Sequence, residues 1–160
     1  MELVLDIGEL ERIERAAITT LTPLLSADVT RMIAALKPRD DDYARIFIGA
    51  SAEQARRGYR ELWDAPPQQL GSPTQTEVLA TAATAALLRT ENPRSAQFPG
   101  GYRTIADQLQ PERIWVRFEL VEPGTTAGMS YDGLVWLEDR WAWFPKPWRY
   151  LTGTELSQEN

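Results

Sequence analysis

The chain has 160 residues, of which 43% are hydrophobic and 25% charged, and its formal net charge is −6. These values are typical of a single globular domain, residues 1–160, whose core needs no disulfide or structural metal for stability. Cysteine and histidine are both absent, which excludes thiol nucleophiles, zinc–thiolate sites and a Ser-His-Asp triad. We expect no metal site and no cofactor.

The distribution of charge limits the classes of partner. Acidic and basic residues are interspersed in every third of the chain, whereas binding to nucleic acid needs a concentrated basic patch. No apolar run approaches the roughly 20 residues that span a bilayer, and Asp6 introduces a charge too early for a signal peptide. The sequence therefore predicts a cytoplasmic protein that binds neither nucleic acid nor a membrane.

The first elements in chain order are helices. Apolar residues recur at helical spacing within Gly8–Leu25, and Pro23 ends or kinks this helix. A second, shorter helix begins near Ser26 or Asp28 and stops before Pro38. Together they predict a helical hairpin.

A third helix follows an acidic run. Asp40–Asp42 reads as a solvated cap for a helical turn, although a short strand through Arg45–Ile48 fits the pattern nearly as well. These three adjacent acids lack the alternate spacing of a calcium loop. From Ala52 to Trp63 a buried stripe predicts a helix that ends at Pro66.

The second half of the chain changes period. Residues 76–88 are ambiguous, because their alanines favour a helix whereas their threonines and Val78 permit a strand. A short helix over 102–109 precedes a strand over 114–121, and two more strands follow over 129–137 and 140–144. Helices first and sheet last predict an α+β fold, with N-terminal helices packed on a curved, mainly antiparallel C-terminal sheet.

The segment Asp132–Arg149 contains four of the six tryptophans. These rings either fill a core or line a ligand pocket or partner surface. Lys146 and Arg149 lie beside them and are either ordinary surface charges or ligands for an anionic group. Arg103, which follows the Gly100-Gly101 loop, is a third candidate for binding an anionic group.

One carboxylate is a weak catalytic candidate. Asp132 could lie at the mouth of the sheet and work with Tyr131 or Tyr102, provided that its pKa were raised. Asp132-Gly133 reads equally well as a tight turn or a β-bulge.

The layout from Asp132 to Trp143 consists of an aspartate-glycine pair, an apolar strand, a short acidic turn and a Trp-rich strand. Together with the preceding helices it resembles the cone-shaped fold of nuclear-transport-factor-type and polyketide-cyclase-like proteins, mainly over residues 113–150. That resemblance implies a pocket between sheet and helices, occupied in different members by small ligands or used for isomerase, dehydratase or protein-binding functions. The chain departs from the catalytic members in having no histidine, and residues 84–109 form a helical insertion. By position, the resemblance implies pocket residues at Trp115, Tyr131, Trp136, Trp141 and Trp143.

Two functions from different classes follow. The first is a non-enzymatic, bacterial-type accessory protein, a regulator or immunity-type inhibitor whose acidic surface captures a basic protein partner. The second is a pocket that binds a small anionic or aromatic ligand, with Arg103, Lys146 or Arg149 orienting it, and with carboxylate and tyrosine chemistry as an extension. A homodimer is compatible with either function.

Overall fold

The computed structural model describes residues 7–126 and 128–151. Its sheet is an antiparallel meander in the order β1-β2-β3-β4. The strands are β1 (Glu77–Thr84), β2 (Ile114–Val121), β3 (Gly128–Trp136) and β4 (Trp141–Trp143). The α+β layout predicted from the sequence is therefore confirmed.

The helices lie mostly before the sheet in the chain. They are α1 (Ile7–Leu21), α2 (Val29–Leu36), α3 (Asp42–Ile46), α4 (Ala50–Asp64) and α5 (Gly101–Ile105). Pro23 lies in a 3₁₀ turn that ends α1, and the Asp28 carboxylate caps α2 by accepting the Arg31 N–H at 2.9 Å. None of these helices is long and apolar enough to cross a membrane.

Strand β1 resolves the ambiguous alanine-rich segment. It pairs with β2 in continuous register, from Glu77 opposite Val121 to Thr84 opposite Ile114. Pairing with a neighbouring strand thus overrides the helical preference of the alanines. Helical geometry returns only afterwards, in a 3₁₀ turn at Leu87–Arg89.

Asp42 corrects the prediction of a solvated cap. Asp40 and Asp41 are exposed, but Asp42 is completely buried. Its carboxylate forms a hydrogen-bonded ion pair with Arg140, accepts the Arg39 N–H at 2.7 Å and lies near Arg45. The pair joins α3 to the start of β4, so Asp42 belongs to the interior and not to the solvated surface.

The free edge of β1 is closed by side chains. The Ala82 N–H donates to Glu14 Oε2 at 2.8 Å, and the Ala82 carbonyl accepts from Arg94 Nη1 at 2.8 Å. Glu14 and Arg94 also pair with each other at 2.6 Å. At this position the two side chains occupy the hydrogen-bonding groups that another strand would use.

Strand β3 contains a β-bulge at Asp132-Gly133. The register with β2 passes from Val116 opposite Leu134 to Phe118 opposite Tyr131, which leaves two residues of β3 opposite Arg117 alone. Gly133 has a φ of +92°, and a Cβ there would lie 2.1 Å from the Phe144 carbonyl oxygen. Only glycine fits this turn of the chain.

Candidate functional site

A cavity of about 380 Å³ opens beside the first half of β3, where the short strand β4 no longer covers it. Tyr131 and Trp143 border it from the sheet, and Leu62 and Pro67 border it from the end of α4 and the loop that follows. The segment after β4 supplies Lys146, Arg149 and Tyr150. The lining is thus aromatic and aliphatic, with charged groups contributed mainly by one segment.

The two cations at the cavity have no partner for their side chains among the described residues. Lys146 is half-buried and Arg149 is exposed, and neither side chain forms an ion pair or hydrogen bond within residues 7–126 and 128–151. Lys146 has a φ of +50°, a left-handed conformation that is uncommon outside glycine. Such backbone conformations concentrate at sites where the chain must aim a side chain.

Asp132 also borders the cavity, although it is only 5% exposed. Its Oδ1 accepts two hydrogen bonds, from the Tyr102 hydroxyl at 2.7 Å and from the Lys146 N–H at 2.8 Å. Its main-chain carbonyl accepts from Trp143 Nε1 at 2.8 Å. No described residue donates to Oδ2, so one oxygen of a nearly buried carboxylate is left without a protein donor.

Tyr102 holds this carboxylate from the interior. It is 1% exposed and does not border the cavity. Burial, and then the adjacent Asp132 charge, raise the pKa of Tyr102 well above its ordinary value of 10.0. Tyr102 therefore stays protonated at neutral pH and acts as a hydrogen-bond donor that orients Asp132.

The segment that forms one wall is fixed at several points. The Tyr59 hydroxyl donates to the Pro145 carbonyl at 2.7 Å. Tyr150 packs against Gly58 and Trp148 against Gly101, so closely that a Cβ on either glycine would lie within 2.6 Å of the ring. These contacts make the wall a defined part of the fold.

Several residues that the sequence singled out lie away from this cavity. Trp115 is fully buried among Phe47, Tyr102 and Phe144. Trp136 and Trp141 pack against each other, with ring centroids 4.9 Å apart, at the other end of β3. Arg103 lies 3.9 Å from Glu91 and borders a different cavity. The cavity therefore brings together Tyr131, Asp132, Trp143, Lys146 and Arg149, but not these other candidates.

Other residues of the lining were not candidates from the sequence. Leu62 and Pro67 reach the cavity through the packing of α4, and Met129 and Ser130 reach it because β4 is too short to cover them. The sequence gives an indirect signal for Met129 and Ser130 alone. The prolines of Pro145-Lys146-Pro147 require the chain to leave the sheet after β4, so β4 is short and leaves the first half of β3 uncovered.

A second cavity, of about 420 Å³, lies near the end of α1. It is larger, but its lining contains hydroxyl, amide and apolar groups without a charged side chain. The residues concerned are Thr22, Leu25, Ser26, Gln69, Ser72, Pro73, Gln75 and Thr76. The cavity beside β3, which has charged side chains in its lining, is therefore the better candidate for specific binding than this larger cavity. In the part of the chain that the structure describes, no three acidic side chains cluster in a way that would hold a metal ion.

Comparisons with protein-family models, curated proteins and solved structures gave no match.

Proposed function

We propose that the protein binds a small anionic molecule with an apolar or aromatic body in the cavity beside β3. The observation that carries the proposal is the pair of cations, Lys146 and Arg149, which border one cavity without an anionic partner among the described residues. A carboxylate or phosphate would supply that partner.

The rest of the lining supports an apolar body for this ligand. Tyr131 and Tyr150 offer ring surface, and Leu62 and Met129 add aliphatic surface. A volume of about 380 Å³ falls within the usual range of roughly 300–1,000 Å³ for ligand pockets. A pocket with many apolar groups and a few polar ones is the usual form of a small-molecule site.

Binding should be tested with a library of small carboxylates and phosphates. Thermal shift would report stabilisation by mass action, and tryptophan fluorescence would respond because Trp143 borders the cavity. We expect a saturable signal for aromatic or branched anions, and Trp143→Phe should remove most of the change in emission.

Variants of the cations assign the binding to this cavity. Lys146→Met should weaken binding about tenfold or more, because a hydrogen bond to a charged group contributes about 1.5–3 kcal/mol, and Arg149→Met should weaken it less, because Arg149 is exposed to solvent. Arg103→Met is the matched control, since Arg103 does not border the cavity. Equal affinities for all three variants and the wild type would contradict the proposal.

The protein-binding interpretation of the sequence stays a prediction. Its support is the net charge of −6. The large apolar side chains exposed among the described residues lie on four separate segments, at Ile7, Ile48, Leu79 and Met129. The cavity has the more specific chemistry, so we place ligand binding first. The fold resemblance and a cytoplasmic location likewise stay predictions.

A further inference from the structure

The polar groups of the cavity include one that an anion alone would not use. Asp132 is nearly buried, borders the cavity and keeps Oδ2 free of any donor from the described residues. Oδ2 is not among the described buried atoms that lack a hydrogen-bond partner, so it keeps access to solvent. A ligand that donates a hydrogen bond can therefore reach this oxygen and take the place of solvent there.

Asp132 is also held in place before any ligand arrives. The Tyr102 hydroxyl and the Lys146 N–H both bind Oδ1, so the carboxylate cannot rotate without breaking two hydrogen bonds. The β-bulge at Asp132-Gly133 fixes the main chain beneath it. The acceptor is therefore preorganised, which lowers the entropic cost of recognising a donor.

The acceptor and one of the cations are neighbours. The Lys146 N–H lies 2.8 Å from Asp132 Oδ1, so the Lys146 side chain starts from a Cα beside this carboxylate. Both residues border the cavity, and their side chains form no ion pair with each other in the described structure. A ligand that carries a donor near its anionic group can therefore bind to both residues at once.

We propose that the ligand is an amino acid or hydroxy acid, in which an ammonium or hydroxyl group next to the acid donates to Asp132 Oδ2. This inference rests on the proposed function and specifies the ligand class for the same cavity. The acid group pairs with Lys146 or Arg149, and the side chain of the ligand packs against the rings of Tyr131 and Tyr150. Asp132 acts here as a specificity residue, and Tyr102 acts through it as a positioning residue.

The test uses three probes that share a ring and a carboxylate. Phenylacetate has no donor beside the carboxylate, mandelate has a hydroxyl group there, and phenylalanine has an ammonium group. Calorimetric titration of the intact protein should give affinities for mandelate and phenylalanine at least about tenfold above that for phenylacetate. Because phenylalanine also has one methylene group more, phenylglycine, whose skeleton matches that of mandelate, is titrated beside it, and the ratio between mandelate and phenylglycine distinguishes hydroxy acids from amino acids.

Asp132→Asn is the decisive variant. An asparagine can keep the Tyr102 and Lys146 hydrogen bonds with its carbonyl oxygen, but it presents an NH₂ donor where Oδ2 was. We expect the preference for mandelate and phenylalanine to disappear, whereas phenylacetate should bind at least as tightly as before, because the neutral amide no longer repels its carboxylate. The melting temperature of the variant without ligand checks that the fold is retained, and Asp132→Ser is a second variant if it is not.

The outcomes separate the two proposals. If phenylacetate binds as well as the other two probes and Asp132→Asn leaves all three affinities unchanged, the ligand class is wrong but an anion site remains. If no probe and no anion in the library binds, and Lys146→Met changes nothing, the proposed function itself is overturned, and the ligand class with it.

Discussion

The Tyr102 hydroxyl donates a 2.7 Å hydrogen bond to Asp132 Oδ1 from the interior side of the sheet. This contact joins α5 to the bulge of β3, two segments that are 30 residues apart in the chain. It leaves the second oxygen of Asp132 to the cavity. One buried phenol therefore determines how the carboxylate is presented.

Tyr102→Phe tests this link through the pH dependence of stability. Burial raises the pKa of Tyr102 above 10.0, so above pH 10 the unfolded chain releases a proton that the folded protein retains. The unfolding free energy contributed by this group is intact below pH 10 and falls by about 1.4 kcal/mol per pH unit above it. Tyr59, whose pKa is raised in the same direction by burial, adds to this alkaline loss.

Denaturant unfolding from neutral pH to above pH 10 measures the effect. Tyr102→Phe should lose about 1.5–3 kcal/mol at neutral pH, since the hydrogen bond to a charged carboxylate is removed. Above pH 10 its stability should fall less steeply than that of the wild type. If the unfolding free energies of the variant and the wild type fall at the same rate above pH 10, the fold does not raise the pKa of Tyr102.

Gly133→Ala should strongly destabilise the protein. The φ of +92° is unfavourable for alanine, and its Cβ would overlap the Phe144 carbonyl oxygen, so we expect a loss of more than about 3 kcal/mol. Gly124→Ala is the matched control: Gly124 has a φ of +82°, but no atom lies within 4 Å of the added Cβ. Its cost should be about 1–2 kcal/mol. Similar losses in chemical unfolding for the two variants would contradict the close approach at the bulge.

Asp42→Ala should cost about 3–5 kcal/mol in unfolding free energy, because it leaves Arg140 without its buried anionic partner. The neighbouring substitution Asp41→Ala is the control, since Asp41 is exposed and caps nothing with its side chain. We expect a change within about 0.5 kcal/mol there. Thermal melts of both variants measure the difference, and equal melting temperatures would argue against a buried ion pair.

Glu14→Ala combined with Arg94→Met should open the edge of β1. The loss of this pair weakens the contacts to the Ala82 N–H and carbonyl, which then become available to a strand from another molecule. Sedimentation velocity over a range of concentrations should show stronger self-association for the double variant than for the wild type. Arg57→Ala removes a largely exposed ion pair and serves as the control. If the double variant sediments like the wild type at every concentration, Glu14 and Arg94 do not protect the edge of β1 from pairing with another molecule.

The sequence predicted an element well wherever the pattern of apolar residues within a single segment was sufficient to identify it. The alternation over 114–121 identified β2, although residues of both faces are buried near its two ends, at Trp115–Val116 and Leu120–Val121. The alanines and threonines before Thr84 do not show whether the segment is a helix or a strand. The strand is stabilised by its pairing with β2, which lies further along the chain. Asp42 was misread for a similar reason: its partner Arg140 lies 98 residues away.

The candidate site was predictable in part for the same reason. Tyr131, Trp143, Lys146 and Arg149 lie within 19 consecutive positions, so composition alone could group them. Trp115 was grouped with them incorrectly, as its ring packs into the interior. The contribution of α4 required tertiary structure, because nothing in its sequence indicates which element covers the end of β3.

The Asp42–Arg140 pair also bears on the order of folding. Closing a loop of 98 residues costs much more entropy than closing a hairpin, and the hairpins β2–β3 and β3–β4 need only short loops. We therefore expect the hairpins to form early and the helices to attach to them late, with the ion pair made after the folding barrier is crossed. Removing the pair should then accelerate unfolding and leave the folding rate almost unchanged. The same contact that secures the finished protein would thus govern how long a folded molecule lasts rather than how fast it is made.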